Sequence, residues 1–179
     1  MSIAGTQLSD FGDLKSDFAI LFSRLPEAQT KSMIDFFKRS ANLLSPKDEL
    51  VIVGHSLGGT LSQVASSIYG DTYNLSETYT FNSPGAKELS VSDDFSDPYS
   101  KDLQNFTKNR NHDSIGEKVV NVKGSEGSSF ISEKGVDIGR YRIDVKSSSH
   151  SINAILEAAK EAKELKRYDL KDKSGKEEL

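Results

Sequence analysis

The most strongly patterned stretch of the chain is Glu49-Leu50-Val51-Ile52-Val53-Gly54, a near-continuous apolar, β-branched run bounded by turn signals. A strand buried on both faces of a parallel sheet reads this way, because neither side meets water. Upstream, Ala28, Met33, Phe36, Phe37, Ala41 and Leu44 recur at helical spacing between Pro26, a first-turn residue, and the stop at Ser45-Pro46. That spacing predicts an amphipathic helix over 26–44. Small, helix-tolerant residues from Leu57 to Tyr69 predict a second helix directly after the strand. Thr78–Phe81, Lys118–Val122 and Tyr141–Val145 read as further strands. A last helix, Ser151 to about Leu170, turns Ile152, Ile155, Leu156 and Ala159 inward. Less regular segments lie between: a short strand end at Ser2–Gln7, an acidic and aromatic stretch from Ser9 to Leu25, a polar helical or looped segment from Lys87 to Lys108, and a Gly- and Ser-rich separator from Lys123 to Gly135.

Strands alternating with helices predict an α/β fold, a mostly parallel sheet with helices on both faces. In such sheets ligands bind beyond the carboxyl ends of the strands. The pattern fits one domain over 1–170, followed by a charged, frayed tail over 171–179.

Composition narrows the function classes. The chain has 179 residues, 35% of them hydrophobic, enough for one domain with a real core. A formal charge of -4 gives no broad basic field, so a nucleic-acid partner is not expected. With no cysteine, the chain holds no disulfide, thiolate metal site or cysteine nucleophile. No stretch reaches the roughly 18 apolar residues that span a bilayer, and a basic, apolar leader pattern is missing at the start. Localisation and oligomeric state stay open. The abrupt beginning, Met1-Ser2-Ile3-Ala4-Gly5-Thr6, carries the expectation that further strands once preceded it.

Candidate chemistry centres on Gly54-His55-Ser56-Leu57-Gly58-Gly59. A serine hydroxyl needs an exposed Oγ, a base within hydrogen-bond reach, and donors for the oxyanion it generates. A Gly-x-Ser-x-Gly turn between a buried strand and a helix meets the first need, and the Leu57 N–H at the helix start is one oxyanion donor. Ser56 is therefore the predicted nucleophile. Three histidines exist. His55 adjoins Ser56 with its side chain directed away from the Oγ, and suits a packing or hydrogen-bonding role. His112 lies next to Asp113, and neighbouring side chains on an extended segment face opposite ways. His150, after a strand and opening a helix, is the predicted general base. The order Ser, acid, His places the acid between them. Asp113, in the polar turn Asn109–Ile115, is favoured over Asp93, Asp94, Asp97, Asp102, Asp137 and Asp144, which read as surface, strand or loop carboxylates.

These motifs make the chain resemble the class-three lipase family of α/β-hydrolases, which includes fungal triacylglycerol lipases and bacterial phospholipase-A1-like enzymes. Gly54–Gly59 matches the family's nucleophile turn. Thr80–Gly85 is similar to its next strand end, Asn111–Ile115 to its acid turn, and His150-Ser151-Ile152 to its base segment. The resemblance implies an α/β-hydrolase core and a carboxylic ester hydrolase acting on acyl lipids through Ser56, Asp113 and His150. It also makes Ala4-Gly5-Thr6 the oxyanion segment, with Thr6 the second donor beside Leu57. By the same likeness the chain is N-terminally short, and Ser9–Leu25 stands in place of the lid. Implied partners are an acyl-ester lipid and, transiently, a lipid surface. No metal or organic cofactor is expected, because the chemistry is proton transfer and electrostatic stabilisation. A thioesterase, peptidase or acyltransferase with the same triad, or a non-catalytic binding module on the same fold, are the alternatives.

Overall fold

The computed structural model describes residues 1–3, 23–45, 47–93, 95–126, 132–162, 165 and 167–170. Six strands form one sheet in chain order: β1 (Ser2–Ile3), β2 (Leu50–His55), β3 (Leu75–Phe81), β4 (Val119–Gly124), β5 (Tyr141–Val145) and β6 (Arg167–Asp169). The pairs from β1 to β5 are parallel, and β6 joins β5 antiparallel. Parallel neighbours require crossovers. Helix α1 (Glu27–Ala41) lies between β1 and β2, α2 (Leu57–Tyr69) between β2 and β3, and α3 (Ser100–Asn109) with the single turn α4 (Asp113–Gly116) between β3 and β4. Helix α5 (Ile152–Glu161) follows β5.

Side-chain alternation along the strands divides the interior in two. On one face Ile52 packs in a cluster with Met33, Ile34 and Phe37 of α1, Leu61, Val64 and Ile68 of α2, and Leu103 and Phe106 of α3. On the other, Val122 and Val145 pack with Ile155 of α5, joined by Phe81 and Ile143. The protein is thus α/β, with a mostly parallel sheet and helices on both faces, as the hydrophobic pattern predicts.

Polar groups bind α2 to the sheet as firmly as apolar ones. The Ser66 and Thr78 hydroxyls stand 2.7 Å apart, and Gln63, fully buried, accepts from the amides of Ala86 at 3.2 Å and Ile138 at 3.0 Å. A buried amide so satisfied fixes α2 against two loops at once. Beside it Lys123 pairs with Asp137 at 2.6 Å and donates to the Ser132 carbonyl at 2.8 Å, fastening the segment after residue 131 onto the end of β4.

The elements differ from expectation at their edges. Helix α1 ends at Ala41, three residues before the predicted stop. Its inward face is Thr30, Met33, Ile34 and Phe37, while Phe36 stays 41% exposed. Strand β3 starts at Leu75, whose side chain is buried, rather than at Thr78. The predicted helix to Leu170 is corrected: α5 ends at Glu161 and Arg167–Asp169 is a strand. Pairing with β5 overrides the local helical composition there. The Arg140 guanidinium bonds Asp169, and that of Arg167 lies 3.7 Å from the Tyr141 ring centroid. The readings made for residues 4–22, including the lid position, and for the tail over 171–179 fall outside the described residues, apart from the last residues of Ser9–Leu25. Of these, Leu25 is buried in the core.

Candidate active site at the carboxyl edge of the sheet

Ser56 stands at the junction of β2 and α2, with φ 56° and ψ -128°. A non-glycine residue with positive φ is unusual, and for serine it costs of order 1–3 kcal/mol. The surroundings hold it there. Its N–H donates to the Phe81 carbonyl at 3.0 Å, continuing the β2–β3 ladder, while its carbonyl accepts from the amides of Gly59 at 2.9 Å and Thr60 at 3.2 Å. The chain therefore turns from strand to helix within one residue. Two glycines make the approach sterically possible. A Cβ on Gly54 would lie 2.3 Å from the Gly58 carbonyl oxygen, and one on Gly59 would lie 2.5 Å from Ser83 Cβ.

The structure brings Ser56 and His150 together: His150 Nε2 is 2.9 Å from Ser56 Oγ. Accepting the hydroxyl proton requires a bare Nε2, so the ring proton of the neutral form sits on Nδ1. Burial holds His150 well below the ordinary imidazole value, at about 4, and the neighbouring His55 adds to the shift. The imidazole is consequently neutral, and able to take a proton, across the physiological range. Leu57 begins α2, so its N–H belongs to the first turn, whose amides lack intrahelical acceptors and carry the positive end of the helix dipole.

Asp113 is not brought to this pair. It opens α4, which leads into the amino end of β4, whereas Ser56 and His150 follow the carboxyl ends of β2 and β5. Ile115 of α4 packs by Gly70, beyond the far end of α2 from Ser56. Thirteen residues of helix, about 20 Å, separate those two ends. His112 is at that same remote end, with Nδ1 2.8 Å from the Ser114 hydroxyl. The assignment of Asp113 as the acid is thereby corrected: a polar turn that precedes a parallel strand lies at the wrong edge of the sheet. Other carboxylates are engaged elsewhere, Asp102 with Lys38 at 2.8 Å, Asp137 with Lys123, and Asp144 with Arg142 at 2.7 Å.

Glu126, whose side chain is exposed, is an acidic residue on the same edge of the sheet as His150 that sequence reasoning did not consider. It follows the carboxyl end of β4, and its N–H donates to the Ser147 carbonyl at 3.3 Å, three residues before His150. Its place within a Gly- and Ser-rich stretch disguised it. Position just after a strand, between Ser56 and His150 in the chain, was the available signal. His55 takes the hydrogen-bonding role foreseen for it, since Nε2 donates to the His150 carbonyl at 2.7 Å. Thr6 lies outside the described residues. Among the described residues no group of three or more His, Asp or Glu is gathered to hold a metal ion, and no helix is long and apolar enough to cross a membrane.

Comparison of the chain with protein-family models, with curated proteins and with solved structures gives no match.

Proposed function

We propose that the chain is a serine hydrolase of the α/β-hydrolase type, a relative of the class-three lipases, that cleaves carboxylic esters of acyl lipids. The observation that carries this reading is a serine at positive φ between a strand and a helix, with its Oγ 2.9 Å from the Nε2 of a half-buried, neutral histidine. Ser56 Oγ attacks the acyl carbonyl while His150 Nε2 takes its proton, then returns it to the leaving alcohol. The oxyanion that forms is met by the Leu57 N–H, with Thr6 as the second donor on the strength of the sequence resemblance. Water, deprotonated by His150, then releases the acid and frees Ser56. These steps use only groups of the chain and the water that ends the cycle.

We assign Glu126 the part of the orienting carboxylate in this scheme on the place of its backbone, at the edge of the sheet where His150 stands; its exposed side chain has to turn toward Nδ1 to fill it. A carboxylate at Nδ1 fixes the tautomer and stabilises the imidazolium. Glu126→Gln is therefore expected to lower kcat on p-nitrophenyl butyrate by on the order of 10²- to 10⁴-fold, with Asp113→Asn close to wild type. The reverse ranking, read from steady-state kinetics, would restore Asp113 to the site.

The test of the function itself is active-site labelling. A fluorophosphonate probe should modify the wild-type chain at one position, mapped by peptide mass to Ser56, and p-nitrophenyl esters of graded chain length should be turned over. Folded wild-type protein that neither labels nor hydrolyses any of them would sink the enzyme reading. Phospholipid and triglyceride vesicles set against thioesters and peptides then separate the lipase from a thioesterase or peptidase.

A further inference from the structure

His150 and Ser56 belong to strands three places apart. Strands spaced at about 4.8 Å put β5 about 14 Å from β2, so the five residues from Lys146 to His150 must run back over the ends of β4 and β3 to reach the nucleophile. Such a crossing has no ladder of its own, and a carbonyl shielded from water along it needs a donor. The strand ends supply three in order. From the end of β4, the Glu126 N–H reaches the Ser147 carbonyl at 3.3 Å. From the end of β3, Asn82 Nδ2 donates to the Ser149 carbonyl at 3.1 Å. From β2, His55 Nε2 donates to the His150 carbonyl at 2.7 Å.

Asn82 is placed for more than one bond. It is fully buried, it holds φ at 42°, and its Oδ1 accepts from the Gly124 N–H at 2.9 Å. Its own N–H continues the sheet to the Val122 carbonyl at 2.9 Å. One side chain thus ties the end of β4 to the crossing segment. Asparagine is among the few residues that accept positive φ and also carry a donor and an acceptor. The His55 ring lies 5.0 Å from that of His150, centroid to centroid, so the two imidazoles pack while one grips the other's backbone.

We propose that His55 and Asn82 are positioning residues that draw the segment 146–150 across the carboxyl edge of the sheet and set the distance between His150 Nε2 and Ser56 Oγ. The inference rests on the serine-hydrolase reading for its catalytic consequence, and on geometry alone for its structural one. Neither residue touches the reacting atoms in this scheme. Each acts through a backbone carbonyl of the base segment.

Two measurements on the full chain test it: the NMR titration of the His150 imidazole, assigned by its loss in His150→Asn, and the rate of fluorophosphonate labelling. Asn82→Gly keeps a backbone that tolerates positive φ while removing both side-chain bonds. His55→Phe keeps the ring and removes the donor. His55→Gln restores a donor. In Asn82→Gly the His150 midpoint is expected to climb from well below 6.5 toward 6.5 as the ring reaches water, and in His55→Phe to climb above that of His55→Gln, since both of these lose the neighbouring imidazole. The labelling rate is expected to fall on the order of 10²-fold, the effect of a misplacement of about 1 Å, with the KM for p-nitrophenyl butyrate little changed. His55→Gln should recover most of the rate. An unmoved midpoint in Asn82→Gly and a His55→Phe midpoint no higher than that of His55→Gln, with wild-type labelling in both folded variants, would overturn the proposal, as would a rate loss in His55→Phe that His55→Gln does not mend. If wild-type protein fails to label, the hydrolase reading falls. The titration then decides the positioning role by itself, supporting it where the midpoint climbs in Asn82→Gly and stands higher in His55→Phe than in His55→Gln, and overturning it where neither is seen.

Discussion

Ser56→Ala and Ser56→Gly are both expected to abolish reaction with fluorophosphonate and to lower ester turnover by on the order of 10⁴-fold or more, as loss of a nucleophile does, with the glycine variant melting at the higher temperature. The two substitutions remove the same hydroxyl and the same hydrogen bond to His150. They differ in the backbone. Alanine keeps a Cβ at φ 56°, whereas glycine relieves it. Glycine's greater freedom in the unfolded chain works the other way, by roughly 0.5–1 kcal/mol, against strain of about 1–3 kcal/mol. The difference left is about 1 kcal/mol, which for a domain of this size moves Tm by about 2–4 °C. Paired thermal melts check it. Equal melting points, or an alanine variant more stable than the glycine one, would show that the turn holds Ser56 without strain.

His150→Ala is expected to reduce labelling to a similar degree, and the pH dependence of the intact protein identifies the histidine as the base. A protonated imidazole cannot accept the Ser56 proton, so reactivity rises as the ring loses its charge. Burial and His55 set that midpoint at about 4, far below the ordinary 6.5. In the wild-type chain the acid limb of the labelling rate should fall near pH 4, with substantial reactivity retained at pH 5. A limb at 6.5 or higher would mean an exposed base. Stability follows with a defined sign. Between about pH 4 and pH 6.5 the unfolded chain binds a proton at this position that the folded chain refuses, so stability falls as pH drops through that window.

The turn that carries Ser56 was legible in the sequence because its steric demands fall within six consecutive residues, Gly54 to Gly59, next to the most apolar strand in the chain. Position relative to that strand also told which end of the sheet it occupies. The histidine was legible by elimination among three. Asp113 misled for a physical reason: local polarity marks a turn, but not whether the turn lies before or after a parallel strand, and the two ends of β4 are a full strand length apart. Glu126, after the strand rather than before it, sits in a stretch whose glycines and serines suggest only a linker. Strand β6 was hidden in another way. The run Lys163-Glu164-Leu165-Lys166-Arg167-Tyr168 has helical composition, and only the open edge of β5, with Tyr141 and Arg140 offering a ring and a cation, makes an extended conformation the better one for Arg167–Asp169. Asn82 gave no sequence signal beyond its place in Asn82-Ser83-Pro84-Gly85, since a residue that braces two loops is recognisable only when both loops are in position.

The contact between Ser56 and His150 joins residues 94 positions apart, and its existence depends on every strand between them. A slip of β5 by one residue would turn its core side chains to the wrong face. A slip by two would keep the faces correct but carry the following segment about 7 Å along the strand axis, farther than any hydrogen bond spans. Such a misaligned chain would keep its helices, its strands and much of its apolar burial. What it would lose is reactivity. On the hydrolase reading proposed above, the reactivity of Ser56 is a proofreader of strand alignment, reporting on the register of the whole carboxyl edge where spectroscopic measures of secondary-structure content cannot.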